Sequence, residues 1–184
     1  MTRNACLVIV ILLSGLPLLL AADSPPQMGG SAPDFELSSV TGANVRLSEV
    51  ASQGPVVLIV LRGFPGYQCP ICNQQVGQYL KQAEKLKSAG VQVLLVYPGP
   101  SADLAKRAQE FIKDQTIPDH FQLLVDPDYT FTNAYHLRWD AAGETAYPST
   151  FVIHKDLKVA YAKVSQEHGG RSKPEVVLKV LSGK

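Results

Sequence analysis

Val56-Val-Leu-Ile-Val-Leu61 is an unbroken apolar run of strand length, opened by Pro55. A strand with no polar face has to be covered on both sides, the condition of a central strand in a layered α/β sheet. Val91 to Tyr97 repeats the pattern, and between the two runs Val76, Tyr79, Leu80, Ala83 and Leu86 recur at helical spacing. That periodicity predicts one helix from Pro70 to Ala89, with Gly90 as its C-cap. Two buried strands with a helix between them make a parallel pair with a crossover.

The remaining segments extend this alternation. Phe35-Glu-Leu37 and Val45-Arg-Leu47 alternate on either side of Thr41-Gly42, the pattern of a small hairpin. Ser101 is the expected cap of a second amphipathic helix whose core face is Leu104, Ala105, Ala108, Phe111 and Ile112. Phe121 to Val125 reads as a strand, and Asp126-Pro-Asp128 as a turn into a short helix through Tyr135. Thr150 to His154 and Val159 to Val164 read as strands that close the sheet antiparallel, and Pro174 opens a last helix through Leu181. The expected architecture is α/β: a central mixed sheet flanked by helices, with an N-terminal hairpin extension, in a single domain over 32–184.

Residues 1–22 differ in kind. Arg3 is their only charge, Ala5 to Ala22 is apolar apart from Ser14, Gly15 and Pro17, and the small pair Ala21-Ala22 precedes Asp23. This is the make-up of a secretory signal peptide cleaved after Ala22, and it predicts an exported, periplasmic or secreted domain. Left uncleaved, the same stretch is just long enough to tether the domain to a membrane. Asp23 to Ser31, rich in Ser, Pro, Gly and Gln, reads as a mobile linker. With Arg3 removed, the 17 basic residues of the full chain fall to match its 16 acidic ones. A neutral domain without like-charge runs lacks the electrostatic footprint of nucleic-acid binding.

Cleavage also removes Cys6, leaving Cys69 and Cys72. A domain of this size folds without a staple, and a bridge closing so short a loop adds little stability, so the pair calls for a chemical explanation. Gly63-Phe-Pro-Gly-Tyr-Gln-Cys69-Pro-Ile-Cys72 lies between the first buried strand and the first long helix. Sites in open α/β sheets form at the carboxyl ends of strands, and a helix N-terminus presents free N–H groups that stabilise a thiolate. Pro70 suits the first helical turn, and two intervening residues let the sulfurs meet across it. From Val50 to Ala83 there is no acidic residue, and the only cations are Arg62 and Lys81. At least one thiol is therefore expected to ionise well below the usual value of about 8.5. Redox catalysis is the leading reading of the pair. A structural bridge and a soft-metal site for Cu(I), completed by one of the four histidines, remain open. Zinc in a closed site is disfavoured, because there is no second Cys pair and no spaced His pair.

The residues resemble the alkyl hydroperoxide reductase/thiol-specific antioxidant family, the peroxiredoxin branch of the thioredoxin fold. Ala32-Pro-Asp-Phe-Glu-Leu37, the strand Val56 to Leu61, the Cys-bearing turn, Val125-Asp-Pro-Asp128 with Ala134-Tyr135, and Ser149-Thr-Phe-Val-Ile153 fall in family order. Arg62-Gly63 followed by Cys69-Pro-Ile-Cys72 is similar to a bacterial peroxiredoxin-like subgroup with a Cys-Pro-x-Cys turn. The resemblance implies a thioredoxin-like fold, thiol-based antioxidant or redox activity without a cofactor, and partners consisting of a thiol electron donor and a peroxide or protein disulfide.

In the register of the peroxiredoxin signature, Pro65 takes its place, Cys72 falls on the peroxidatic position, and Cys69 stands where the family has threonine. The family arginine before the Ser/Thr-Phe strand is replaced by Pro148, and Arg62 is the candidate substitute cation. Tyr147-Pro148-Ser149-Thr150 instead resembles the cis-proline element that packs against Cys-x-x-Cys in thioredoxins and leaves backbone free to pair with substrate, the alternative being a trans proline that opens the strand. Thioredoxins also carry a buried acid where this chain has Gly63.

The two relatives imply opposite roles. In disulfide exchange Cys69 attacks and Cys72 resolves; in peroxide reduction Cys72 attacks and Cys69 resolves. Loss of the threonine and arginine favours exchange. A copper-handling thioredoxin-fold protein is the non-enzymatic rival and would need His154 or His168 beside the cysteines. Otherwise His120, His136, His154 and His168 read as surface or hydrogen-bonded histidines, Tyr67, Tyr135 and Trp139 as packing residues, and His168-Gly-Gly-Arg171 as a loop without a function.

Overall fold

The computed structural model describes residues 24–183, so the expected leader lies outside the described residues. Seven strands and six helices follow one another as β1 (Glu36–Ser39), β2 (Asn44–Arg46), α1 (Leu47–Gln53), β3 (Val56–Val60), α2 (Pro70–Leu80), α3 (Ala83–Ser88), β4 (Gln92–Gly99), α4 (Leu104–Ile112), β5 (Phe121–Pro127), α5 (Thr130–Ala134), β6 (Ser149–Ile153), β7 (Val159–Val164) and α6 (Pro174–Leu181). One sheet holds them in the order β2-β1-β5-β4-β3-β6-β7. β3, β4 and β5 are mutually parallel, and β6 runs antiparallel to β3 with Val60 opposite Ser149. The β1–β2 hairpin joins antiparallel to β5, which makes the mixed sheet expected from the sequence.

β3 is buried at every position, and its side chains alternate between two cores. Val57 and Ile59 join the cluster under α2, α3, α4 and α6, whereas Val56, Leu58 and Val60 join the cluster under α1 and α5. Burying one such side chain stabilises the fold by about 1.5–3 kcal/mol, which explains why a continuous apolar run marks the centre of the sheet. Cys69 and Cys72 belong to the first cluster.

Several elements depart from the sequence pattern. The expected helix over 70–89 is two helices, because the Gln82 N–H bonds the Tyr79 carbonyl in a tighter turn between Leu80 and Ala83. α1 has no local sequence signal because its cap is remote: the Asp34 carboxylate accepts from the Ser48 N–H at 2.9 Å and the Ser48 hydroxyl at 2.8 Å. α4 starts after Asp103, whose φ of 58° is left-handed, so Ser101 does not cap it with its side chain, and Ala105 faces solvent. Part of the segment expected as a linker also makes backbone hydrogen bonds to the fold. Gly29 N–H donates to Val159 O, Gly30 O accepts from Val159 N–H, and Ala32 N–H donates to Leu157 O, tying this segment along the β7 edge.

Candidate active site

The cysteine turn leaves the carboxyl end of β3 and enters the N-terminus of α2. Gly63 makes that exit possible: its φ is 75°, and a Cβ there would lie 1.9 Å from the Pro98 carbonyl oxygen. No acidic side chain fits where thioredoxins carry one, because the β4 backbone occupies the space. The Phe64 N–H bonds the same Pro98 carbonyl at 3.0 Å and fixes the turn against β4.

Cys69 is the N-cap of α2, and its sulfur accepts the Cys72 backbone N–H at 3.3 Å. Pro70 occupies the first helical turn, as its fixed φ and missing N–H favour. Both thiols are buried, Cys69 with 2% and Cys72 with 0% of its surface exposed. Yet they ionise in opposite directions. The Cys72 thiol donates toward Cys69, and with the Cys72 N–H and the Arg171 and Arg62 charges it holds Cys69 down at about 6 against the opposing effect of burial. Burial first, and then the neighbouring Cys69 sulfur, push Cys72 well above the ordinary thiol range. The surroundings thus favour the thiolate at the helix N-cap and the thiol beneath it.

Arg171 is the residue that sequence reasoning passed over. Its Nη2 lies 3.9 Å from Cys69 Sγ, its Nη1 donates to Gln75 Oε1 at 2.9 Å, and its Nε donates to the His168 carbonyl at 2.9 Å. The loop assigned no function thus delivers a guanidinium, oriented at two other points, to Cys69. Its partner is 102 positions away in sequence, and only its place between Gly169-Gly170 and Pro174 hints at a constrained loop.

Arg62 has a different task from the one its position suggests. Its Nε pairs with Glu144 Oε2 at 2.5 Å, Nη1 donates to the Tyr67 hydroxyl at 2.5 Å, and Nη2 donates to the Gly143 carbonyl at 2.6 Å. Glu144 is held below the usual carboxylate range, since hydrogen bonds from Arg62 and His168 outweigh the upward push of burial. Arg62 is therefore held in an ion pair and anchors the 143–144 loop. Tyr67, expected to be packed, is half exposed and bonded to that arginine. Tyr135 is fully buried as expected, and Trp139 stacks on Tyr147 with ring centroids 4.9 Å apart.

The Tyr147–Pro148 bond is trans, a correction to the cis-proline reading. Pro148 does stand at the cysteine end of the sheet, one residue before Ser149 pairs with Val60. Its carbonyl accepts the Ser165 N–H at 2.9 Å, so it is occupied within the fold, not open to a substrate strand. Pro65 lies half-buried in the turn. His168 bonds Glu144 at 2.9 Å, whereas His154 follows β6 beyond the Ile153–Val56 pair, at the opposite end of β3 from the cysteines. No cluster of three or more His, Cys, Asp and Glu able to hold a metal occurs among the described residues.

The sequence matches the AhpC/TSA family over residues 28–162, most of the chain. The chain belongs to the AhpC/TSA family. It is similar to Peroxiredoxin-2C of Oryza sativa subsp. japonica, 32% identical over 168 residues that cover 86% of this chain and 99% of that one. It is also similar to the thiol-disulfide oxidoreductase ResA of Bacillus subtilis (strain 168), 27% identical over 131 residues covering 71% of this chain and 64% of that protein. Among solved structures, peroxidoxin BcpB from Mycobacterium tuberculosis superposes with a TM-score of 0.67 at 24% identity, covering 86% of this chain and 97% of that one. Plasmodium vivax 2-Cys peroxiredoxin in its reduced form gives 0.67 at 18% identity, covering 86% and 81%. These likenesses agree with the thioredoxin-like, peroxiredoxin-type fold, and this AhpC/TSA member is a thiol-based oxidoreductase.

Proposed function

We propose that the protein is an exported thiol-disulfide oxidoreductase in which Cys69 is the nucleophile and Cys72 the resolving thiol. The observation that carries this is the placing of the two sulfurs across one turn: Cys69 Sγ sits at the N-cap of α2, accepts the Cys72 N–H and has Arg171 Nη2 at 3.9 Å, whereas Cys72 is fully buried beneath it. The thiolate is the reactive form, and it is Cys69 that has the helix N-terminus and Arg171 beside it. Export rests on the composition of residues 1–22.

In the forward step the Cys69 thiolate attacks one sulfur of a substrate disulfide. A Cys69–substrate disulfide forms, the substrate S–S bond breaks, and the other substrate sulfur leaves as a thiolate that takes a proton from water. Loss of the negative charge on Cys69 removes two causes of the high Cys72 pKa, leaving burial alone. Cys72 then gives its proton to solvent, attacks Cys69 Sγ and releases the second substrate thiolate, so two electrons pass from the Cys pair to the substrate. A dithiol donor returns the pair to the reduced state by the reverse exchange.

The peroxidase alternative, with Cys72 attacking peroxide, is supported by the register of the signature and by the rice peroxiredoxin. Against it stand a fully buried, protonated Cys72 and an Arg62 committed to Glu144. The deciding experiment compares thiol loss to hydrogen peroxide and to a small neutral disulfide, for the wild type and for Cys69→Ser and Cys72→Ser. Cys69→Ser should lower disulfide exchange to background, and Cys72→Ser should accumulate the mixed disulfide, visible by mass spectrometry. Peroxide consumption that survives Cys69→Ser and vanishes with Cys72→Ser would establish the alternative.

A further inference from the structure

Beside the turn that carries Cys69, between α2 and the loop leading into α6, lies a cleft of about 280 Å³. α2 contributes the amides of Gln74, Gln75 and Gln78, and the loop contributes Gly169 to Lys173. Two of these residues, Arg171 and Lys173, are cationic, and no carboxylate is among the lining residues; Glu167 stands at the rim, its Oε1 3.4 Å from where a Gly170 Cβ would lie, and Glu175 follows in the first turn of α6. Ser172 also lines it, is 5% exposed, and has a hydroxyl without a hydrogen-bond partner among the described residues. Leaving a buried hydroxyl unpaired is unfavourable, so the site is one hydrogen bond short. α6 begins at Pro174 directly after Lys173, which sets the positive end of its dipole at the same place.

Amides, a guanidinium, an ammonium, a spare hydroxyl and a helix N-terminus are the partners of a small anion. Arg171 links the cleft to the reacting sulfur, because it lines the one and lies 3.9 Å from the other. We propose that this cleft binds a carboxylate carried by the disulfide substrate and so seats an acidic disulfide at Cys69. The proposal rests on the disulfide-exchange reading above. The carboxylate belongs either to a low-molecular-mass disulfide or to an acidic residue beside a disulfide in a polypeptide.

The test follows thiol loss of the reduced protein with three symmetrical disulfides: dianionic 3,3′-dithiodipropionate, neutral bis(2-hydroxyethyl) disulfide and dicationic cystamine. The dianion should react about tenfold faster than the neutral compound and the dication slowest. Lys173→Gln, a surface change, and Ser172→Ala should each reduce the dianion-to-neutral ratio about threefold. A disulfide-linked peptide with Asp next to its cysteine, compared with its Asn counterpart, separates the sources: a preference for Asp extends the site to polypeptides, and a preference confined to the small dianion assigns it to free disulfides. Equal rates for the three small disulfides, together with no Asp preference, would overturn the proposal, as would a ratio unchanged in both variants. Failure of the neutral disulfide to react through Cys69 would instead overturn the exchange reading beneath it.

Discussion

The two ends of β3 offer a controlled contrast. At its amino end, Ser52 to Pro55 and His154 to Asp156 line a cleft of about 580 Å³; at its carboxyl end the cleft beside the cysteines holds about 280 Å³. The larger hollow contains polar surface side chains and no thiol or oriented cation close to one. The smaller one adjoins a helix N-terminus, two cysteines and a guanidinium fixed at three points. Concavity alone therefore does not locate the chemistry. The direction of the central strand does, because only its carboxyl end delivers the chain into a helix start.

The largest effect expected from probing this contrast is on stability at the cysteine end. Gly63→Ala places a methyl on the Pro98 carbonyl and forces a positive φ on a residue with a side chain. It should lower the urea-unfolding free energy by about 2–4 kcal/mol. A loss below 1 kcal/mol, on the order of an ordinary surface change, would mean that the turn is not pinned to β4.

The next effect depends on redox state. The folded Cys69 value of about 6 lies below that of an unfolded thiol near 8.5. A depressed acid contributes stability that is complete above the unfolded value and lost as pH falls through the folded one. Cys72, raised by burial, stays protonated in the folded chain across that window and so leaves the trend to Cys69. The reduced domain should thus gain up to about 3 kcal/mol relative to the oxidised domain between pH 6 and 8.5, measured by paired urea titrations. Parallel curves for the two forms would remove the thiolate from the account.

Arg171→Gln should act more gently, raising the pH midpoint of Cys69 alkylation by about one unit by deleting the nearest side-chain cation. Gln keeps a donor for Gln75, which separates loss of charge from collapse of the loop. The smallest effect belongs to the other end of the strand. His154→Ala should leave disulfide exchange within about twofold of wild type, as an exposed change remote from the site. Cu(I) retention by the Cys pair that depends on His154 would break the comparison and revive the metal-handling reading.

How much of this was legible in the sequence follows from the range of the interactions involved. β3, the β1–β2 hairpin, Pro70 at the start of α2 and Pro174 at the start of α6 are written in local patterns, and each appears where expected. α1 was hidden because Asp34 caps it from 14 positions away, and the docking of Gly29 and Gly30 depends on a strand edge more than 120 residues later. The cysteines could be read from spacing, and the helix N-terminus beside them from the position of Pro70. What surrounds them could not. Arg62 lay at the expected strand end, but its ion pair with Glu144 comes from 82 positions away, and Arg171 approaches Cys69 across 102. No hydrophobic period or turn rule carries information over such separations.

The central claim, that Cys69 and not Cys72 is the thiolate, is tested most directly by the pH dependence of alkylation. The reduced wild-type domain would be treated with iodoacetamide across pH 4.5–10 and the modified cysteine identified by peptide mass. The account predicts label on Cys69, with a rate that rises through about pH 6 and levels off by neutrality. Label arriving first on Cys72, or a rate that climbs only above pH 8, would contradict it.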